Sequence, residues 1–507
     1  MSFVEKQTET FAYVKNLKSE FFPVSMRVES GEVISKVLSV MPVVKIEQVL
    51  VNNKNAQIEG KLCAKVIIQT AESGFKCVFG VTNFKTMVLD DLITSNSEMF
   101  ALAKVCGVSG LTAGSQSISF NVNVCVLPKL LIKSNVDYLA SVKVAESKTT
   151  EVKFSSVVAS SSQEFNLETE LEQPSNVSEI LCVDSNIQLS KVEAGVDVVR
   201  LSGEVITNLI YLDNDEPAKL KNQFFTQNFS HELLASNLTP QDVVNLNVSV
   251  CNTEMQLDGE LNSSKGTVIL NHTIKANILV EQEKTVNLVV DAFCPRYNLN
   301  LLCDTQHFCS TQNSFSSFEK IDGSVLLGED SARIDRVLCV SGQNIVVEST
   351  EVENENVVIV GKMVCNVVFT LDDENCSVNS ILTSIPFSLK LPKKNEDELC
   401  GIDIVVREVD ARQKRAKEID VVAEVGISVK SRAYQEISYL SDLTLGSERT
   451  ENFAPMSIYF VKNAPSLWEL SKLLCVSGDV ILEQNPNLVF PITDQVPVLI
   501  YRKRAVS

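Results

Sequence analysis

The stretch VISKVLSVMPVVKIEQVLVNNKNAQIEGKLCAKVIIQ, Val33 to Gln69, returns twice more in altered form. The second copy, from Asn176, reads NVSEILCVDSNIQLSKVEAGVDVVRLSGEVITNLIYL, and the third, from Arg333, reads RIDRVLCVSGQNIVVESTEVENENVVIVGKMVCNVVFTL. Leu38, Leu181 and Leu338 share one place in the pattern, and Val40, Val183 and Val340 follow two residues later. Gly60, Gly203 and Gly361 fall 20, 20 and 21 residues after those valines. The glycines are 143 and 158 residues apart, a repeat of domain size rather than of solenoid size. Each glycine opens an alternating run: Leu62, Ala64, Val66 and Ile68; Val205, Thr207, Leu209 and Tyr211; Met363, Cys365, Val367 and Phe369. Alternation places each set on one face of a strand, and the β-branched bias suits strands over helices. The glycine itself is expected at a bulge or a close backbone approach.

Working outward, each copy continues into a second strand pair. MFALAKVCGV, VVNLNVSVCNTEMQL and CGIDIVVREVDA each precede SISFNVNVCV, GTVILNHTIKANILV and EIDVVAEVGISVK across a polar turn. Many short strands with regular turns imply sandwiches or open barrels. The expected fold is mostly β: three repeated all-β, sandwich-like domains at 1–155, 164–308 and 318–450, then a small α+β module at 455–507. The serine-rich stretches Ser155 to Gln163 and Cys309 to Ser317 read as links between the units. Arg412, Lys414, Arg415 and Lys417 fall at the third hairpin, as a solvated tip or as a contact for an acidic partner.

The 507 residues carry a net charge of −19, which repels phosphate backbones and argues against nucleic acid and against a broad basic face on anionic lipid. No apolar run has membrane-spanning or signal-peptide length. The 14 cysteines include no Cys-x-x-Cys pair and read as reduced core thiols of a cytosolic protein. His231, His272 and His307 stand apart from any zinc-type spacing. Gly107-Val108-Ser109-Gly110 lacks the nucleophile-elbow spacing and reads as a tight hairpin turn. Asp372-Asp373 lies in turn-like sequence. The residues nominate no catalytic, metal or cofactor site, and the expectation is a non-enzyme.

After Pro455 the pattern changes. Pro465 and Ser466 open a helix with Ser466 as N-cap, and Leu467, Leu470, Leu473 and Leu474 give it an apolar side. A second short helix begins at Val480-Ile481 and ends near Asn485-Pro486. Strands flank the pair, Ile458 to Val461 and Val496 to Tyr501. Leu467, Trp468 and Leu470 are expected to hold this strand–helix–helix–strand unit together, with Trp468 in its core. The exposed loops nominate Lys462, Asn463 and Ser466 before the first helix, and Glu483, Gln484, Asn485 and Asn487 after the second, as partner-binding residues.

On Leu467-Trp468, Leu470, Val476, Ile481 and Asn485 this unit resembles a LysM module. It departs where LysM modules carry Gly-Asp-Thr, here Ala464-Pro465-Ser466, and Pro-Gly-Gln, here Thr493-Asp494-Gln495. Those loops form the glycan groove of sugar-binding members, so their loss favours a protein partner over peptidoglycan. With three repeats before it, the chain resembles the SPOCS-domain spore-envelope proteins of spore-forming Firmicutes. The resemblance implies a structural role in coat and cortex assembly and a mother-cell cytoplasmic location at the forespore surface. It also implies docking of a coat-basement ATPase scaffold through the LysM-like tail, and peripheral association with the outer forespore membrane through that partner. Peptidoglycan binding by the tail, and a general β-repeat surface protein, are the competing readings.

Overall fold

The computed structural model describes residues 4–501 except 72–73, 215–218, 259–265, 311, 330, 354–355, 375, 393–397 and 450–453. The chain is mostly β, in three repeated units and a tail. The first unit runs β1 (Val4–Asn16), β2 (Glu20–Glu29), β3 (Ile34–Asn52), β4 (Asn55–Thr70), β5 (Phe75–Leu89), β6 (Glu98–Ala113) and β7 (Ser117–Val142). The second runs β8 (Glu146–Glu172), β9 (Val177–Ala194), β10 (Val198–Asp213), β11 (Lys219–Leu234), β12 (Val243–Asp258) and β13 (Thr267–Phe293). The third runs β14 (Tyr297–Cys309), β15 (Asn313–Leu326), β16 (Ile334–Glu353), β17 (Asn356–Leu371), β18 (Val378–Pro392), β19 (Glu398–Arg415), β20 (Glu418–Arg432) and β21 (Tyr434–Glu448).

Each unit is a sandwich of two antiparallel sheets. In the first, β3-β4-β5 faces β2-β7-β6. The second repeats this with β9-β10-β11 and β12-β13-β8, and the third with β16-β17-β18 and β15-β20-β19. The alternating residues named above line the cores: Leu62, Val66, Leu209, Met363, Cys365 and Val367 are completely buried. The three repeat glycines sit where the chain crowds itself. A Cβ at Gly60, Gly203 or Gly361 would collide with the carbonyl oxygen of Lys45, Gln188 or Val346 on the neighbouring strand, beside a register irregularity in each case. Only glycine fits there.

The first and last strands of each unit run on past the sandwich as a two-stranded ribbon. β1 pairs with the second half of β7, the first half of β8 with the end of β13, and β14 with β21. The three ribbons meet in a shared core. Phe11, Phe154 and Phe308, one from each unit, pack as a triangle with ring centroids 5.1–5.8 Å apart.

The outer faces of the sandwiches close the same ring. Leu38, Ile67, Cys182, Ile210, Cys339 and Val368 form one cluster, again drawn from all three units. Hydrogen bonds run round it. Lys65 donates to the carbonyl of Val183 at 2.6 Å, Asn208 to that of Val340 at 3.2 Å, and Ser341 to the Ser39 hydroxyl at 2.7 Å. The body is therefore a single-chain, pseudo-threefold assembly with cores inside and between its units. Between the second and third units, Arg432 and Glu281 form an ion pair that is almost wholly buried, with Ser155 and Asn245 donating to the same carboxylate.

Three sequence expectations change here. Residues 155–163 are not a link: they lie within β8 and pair with β13. The stretch 309–317 closes β14 and opens β15. The units instead meet near 143–145 and 294–296. Serine composition misleads because Ser155 and Ser156 are buried strand residues, spent on Glu281 and on the Ala12 amide. Gly107 to Gly110 is not a hairpin turn but an irregular stretch inside β6, with the turn following at residues 114–116. The cysteines are all free thiols, and six are buried, but Cys303 and Cys376 are exposed and not core residues.

Candidate functional site

The tail comprises β22 (Met456–Val461), α1 (Leu467–Leu474), α2 (Gly478–Gln484) and β23 (Val496–Tyr501), with β22 and β23 antiparallel. Ser466 caps α1 as expected, its hydroxyl accepting from the Glu469 amide at 3.3 Å. α2 begins two residues earlier than expected, at Gly478. Val461, Ala464, Leu470, Ile481, Ile492, Val498 and Ile500 form the small core.

The helices cover only one face of the two-stranded sheet. On the other, Met456 pairs with Tyr501, Ile458 with Leu499 and Phe460 with Pro497. Met456, Ile458, Phe460 and Tyr501 are 48%, 53%, 68% and 54% exposed. A continuous apolar face on so small a module is the mark of an interaction surface. The loop nominations missed it. The signal was in the sequence: Met456 to Val461 is apolar at positions of both parities, more than a sheet covered on one side can bury.

The nominated loop residues divide. Lys462, Asn463, Glu483 and Asn487 are exposed, and Asn463 takes a left-handed backbone with φ of 60°. Ser466 is occupied as the cap. Gln484 brackets Tyr501, donating to its carbonyl at 3.0 Å and accepting from its amide at 2.6 Å. Asn485 donates to the carbonyls of Ile481 and Leu499 and accepts from the Leu499 amide at 2.8 Å. Both side chains fasten α2 to β23. Among the described residues, no hydrogen bond or ion pair joins the two loops.

Trp468 and Leu473 depart from expectation. Leu473 is 67% exposed, because six residues after Leu467 the helix has turned about 600°, or 240° net. Trp468 lies outside the tail's core and instead meets the second unit. Its indole donates to Asp291 at 2.9 Å, and its ring packs edge-on against Phe293 with centroids 5.3 Å apart. Lys472 reaches the same carboxylate at 2.7 Å, and Arg449 approaches the sulfur of Cys475. Burial pushes the Asp291 carboxyl up, but the bonds from Lys472 and Trp468 outweigh it and hold the group below its usual range.

The histidines form no catalytic set. His272 is completely buried between the hydroxyls of Thr169 and Thr253, at 2.8 and 3.1 Å. Burial, with the Lys65 charge adding to it, lowers its pKa to about 4. His231 stacks on Phe165, and His307 lies in β14. Among the described residues no group of three or more His, Cys, Asp or Glu is placed to hold a metal ion. Among the described residues no helix is long and apolar enough to cross a membrane. The chain matches no family model, no curated protein and no solved structure.

Proposed function

We propose that the protein is a non-enzymatic assembly adaptor, with the closed three-unit body as a rigid holder and the tail as its docking module. The observation that carries this is the uncovered apolar face of β22 and β23, on a module fixed to the body through Trp468 and Lys472. The resemblance to SPOCS and LysM proteins supplies the setting: assembly of the endospore envelope at the forespore surface. The partner in this reading is the coat-basement ATPase scaffold, and the altered glycan loops favour it over peptidoglycan.

The test is cosedimentation of the full chain with the purified, polymerised ATPase and, in parallel, with purified peptidoglycan. Binding to the ATPase that Ile458→Glu with Phe460→Glu weakens by about tenfold or more, with circular dichroism unchanged, is the expected result. Sedimentation with peptidoglycan alone would sink the adaptor reading in favour of wall binding.

A further inference from the structure

In each unit the sheet that carries the repeat glycine ends on an equivalent edge strand, β5, β11 or β18, and only one of these is unguarded. Registers align them: Phe84 of β5 lies opposite Gly60, Phe229 of β11 opposite Gly203, and Phe387 of β18 opposite Gly361. The outward side of β18 then carries Leu382, Ser384, Pro386, Ser388, Lys390 and Pro392. Proline and lysine on an edge block the addition of a further strand. The same places on β11 hold Phe224, Thr226, Asn228, Ser230, Glu232 and Leu234, with Phe224 packed against the core of the third unit. On β5 they hold Phe79, Val81, Asn83, Lys85, Met87 and Leu89. Phe79, Val81, Met87 and Leu89 are 50–73% exposed. β5 pairs with β4 on one side, and among the described residues no strand pairs with the other.

We propose that β5 is a self-association edge, pairing antiparallel with β5 of a second copy of this chain about Phe84. The sequence of the strand is self-complementary in that register. Phe79 meets Leu89 of the second copy, Val81 meets Met87, and Asn83 meets Lys85, each pair occurring twice. On the opposite face Thr82 meets Thr86. Apolar cross-strand pairs and threonine pairs both stabilise a ladder. No lysine faces a lysine, and Lys85 is already neutralised by Glu59 at 2.7 Å. The edge is thus locally neutral on a chain of net charge −19, which suits neither a polyanion nor a strongly basic partner.

Scale sets the strength. Eleven residues at about 3.4 Å each make an edge about 37 Å long. At about 10 Å deep it covers roughly 400 Å² on each copy, roughly 800 Å² in total, below the ~1,200 Å² of a standard stable interface. The dimer therefore forms at micromolar rather than nanomolar concentration. It tightens with added salt, as repulsion between two acidic bodies is screened. The pairing is isologous and closes at two copies.

The experiment is sedimentation equilibrium of the full chain across a wide concentration range. Wild type is expected to dimerise. Val81→Lys with Met87→Lys sets lysine against lysine twice and should raise the dimer Kd about tenfold or more. Val81→Glu with Met87→Lys sets opposite charges together in this register and should recover the dimer. Both substituted side chains, Val81 and Met87, face solvent, and thermal unfolding checks that each variant is folded. A wild type that stays monomeric throughout overturns the proposal, even if a strand from another protein takes the edge. So does a double-lysine variant that dimerises like wild type, or a charge-swapped variant that remains monomeric.

Discussion

The body and the tail are both built on β-sheet, and they differ in how many faces of that sheet are used. In the body the middle strands β4, β10 and β17 are buried on both sides: Leu62, Val205 and Met363 face the cores, while Ile67, Ile210 and Val368 face the ring axis. In the tail, helices cover one side of β22 and β23 and the other is open. A structure that closes on itself spends its central sheet faces internally and leaves apolar surface only at an edge such as β5. A module with a face left over has surface to offer a partner. The body therefore gains its stability from cores within and between its units, and the tail from a core of a few side chains.

The sharpest way to break the body alone is at its buried ion pair. Arg432→Ala leaves the Glu281 carboxylate almost wholly buried without its cation, a change that costs about 3–5 kcal/mol. Calorimetry should show the main transition falling while the tail's amides keep their protection. Arg432→Met with Glu281→Leu should restore part of the loss, since the desolvation of both charges goes with them while Ser155 and Asn245 are left without their buried acceptor. Full destabilisation in the double variant would mean that the pair orders the units rather than merely neutralising itself.

The converse belongs to the tail. Leu470 is completely buried beside Ile481, and Leu470→Ala removes about 2–5 kcal/mol of packing. A module of this size has little more to lose. Hydrogen exchange over residues 456–501 should rise toward the unfolded rate with the body unchanged. If body protection fell too, the tail would count as a fourth structural part of the ring.

Acid separates the two regions because the tail has no histidine. His272 in the body holds a pKa of about 4, below its ordinary 6.5, so the unfolded chain takes up a proton that the folded chain refuses. The stability is intact above pH 6.5 and is lost as pH falls toward 4, by up to about 3 kcal/mol. His272→Leu should flatten that part of the body's stability curve, read by denaturant titration at stepped pH. An unchanged slope in the variant would assign the acid sensitivity to other groups.

Much of this was legible in the chain. The repeat glycines and the alternating core positions sit where the pattern put them, because strand alternation reports directly which side chains share a face. The turns fall later than expected, since β6 runs on to Ala113 and β19 to Arg415, which makes Arg412, Lys414 and Arg415 strand residues rather than a hairpin tip. What alternation does not report is what that face meets. Leu38, Leu181 and Leu338 read as landmarks of one domain, yet they gather from three units at the ring axis. The clue was that Ile67, Ile210 and Val368 make the second face apolar as well. The serine stretches failed for a related reason, since composition does not separate a solvated link from a strand whose hydroxyls serve a buried carboxylate. In the tail, helical spacing set Leu467, Leu470 and Leu474 together and left Trp468 off that stripe, which already pointed it away from the core.

That tryptophan offers the smallest and cleanest test of the comparison. It is the only one in 507 residues, so tryptophan emission excited to the red of tyrosine absorption reads the joint between tail and body and nothing else. Asp291→Asn removes the ion pair with Lys472 and weakens the bond to the indole. Both groups are partly exposed, so the expected cost is about 1 kcal/mol or less, too small to move the main thermal transition. The emission should nonetheless shift to the red, and iodide quenching should rise as the ring leaves Phe293. Phe293→Ala should do the same by removing the edge contact. A red shift with unchanged melting makes the joint a weak latch between two independently stable parts. Emission that ignores both substitutions would mean that the indole does not rest on β13, and that the tail is tethered by chain alone.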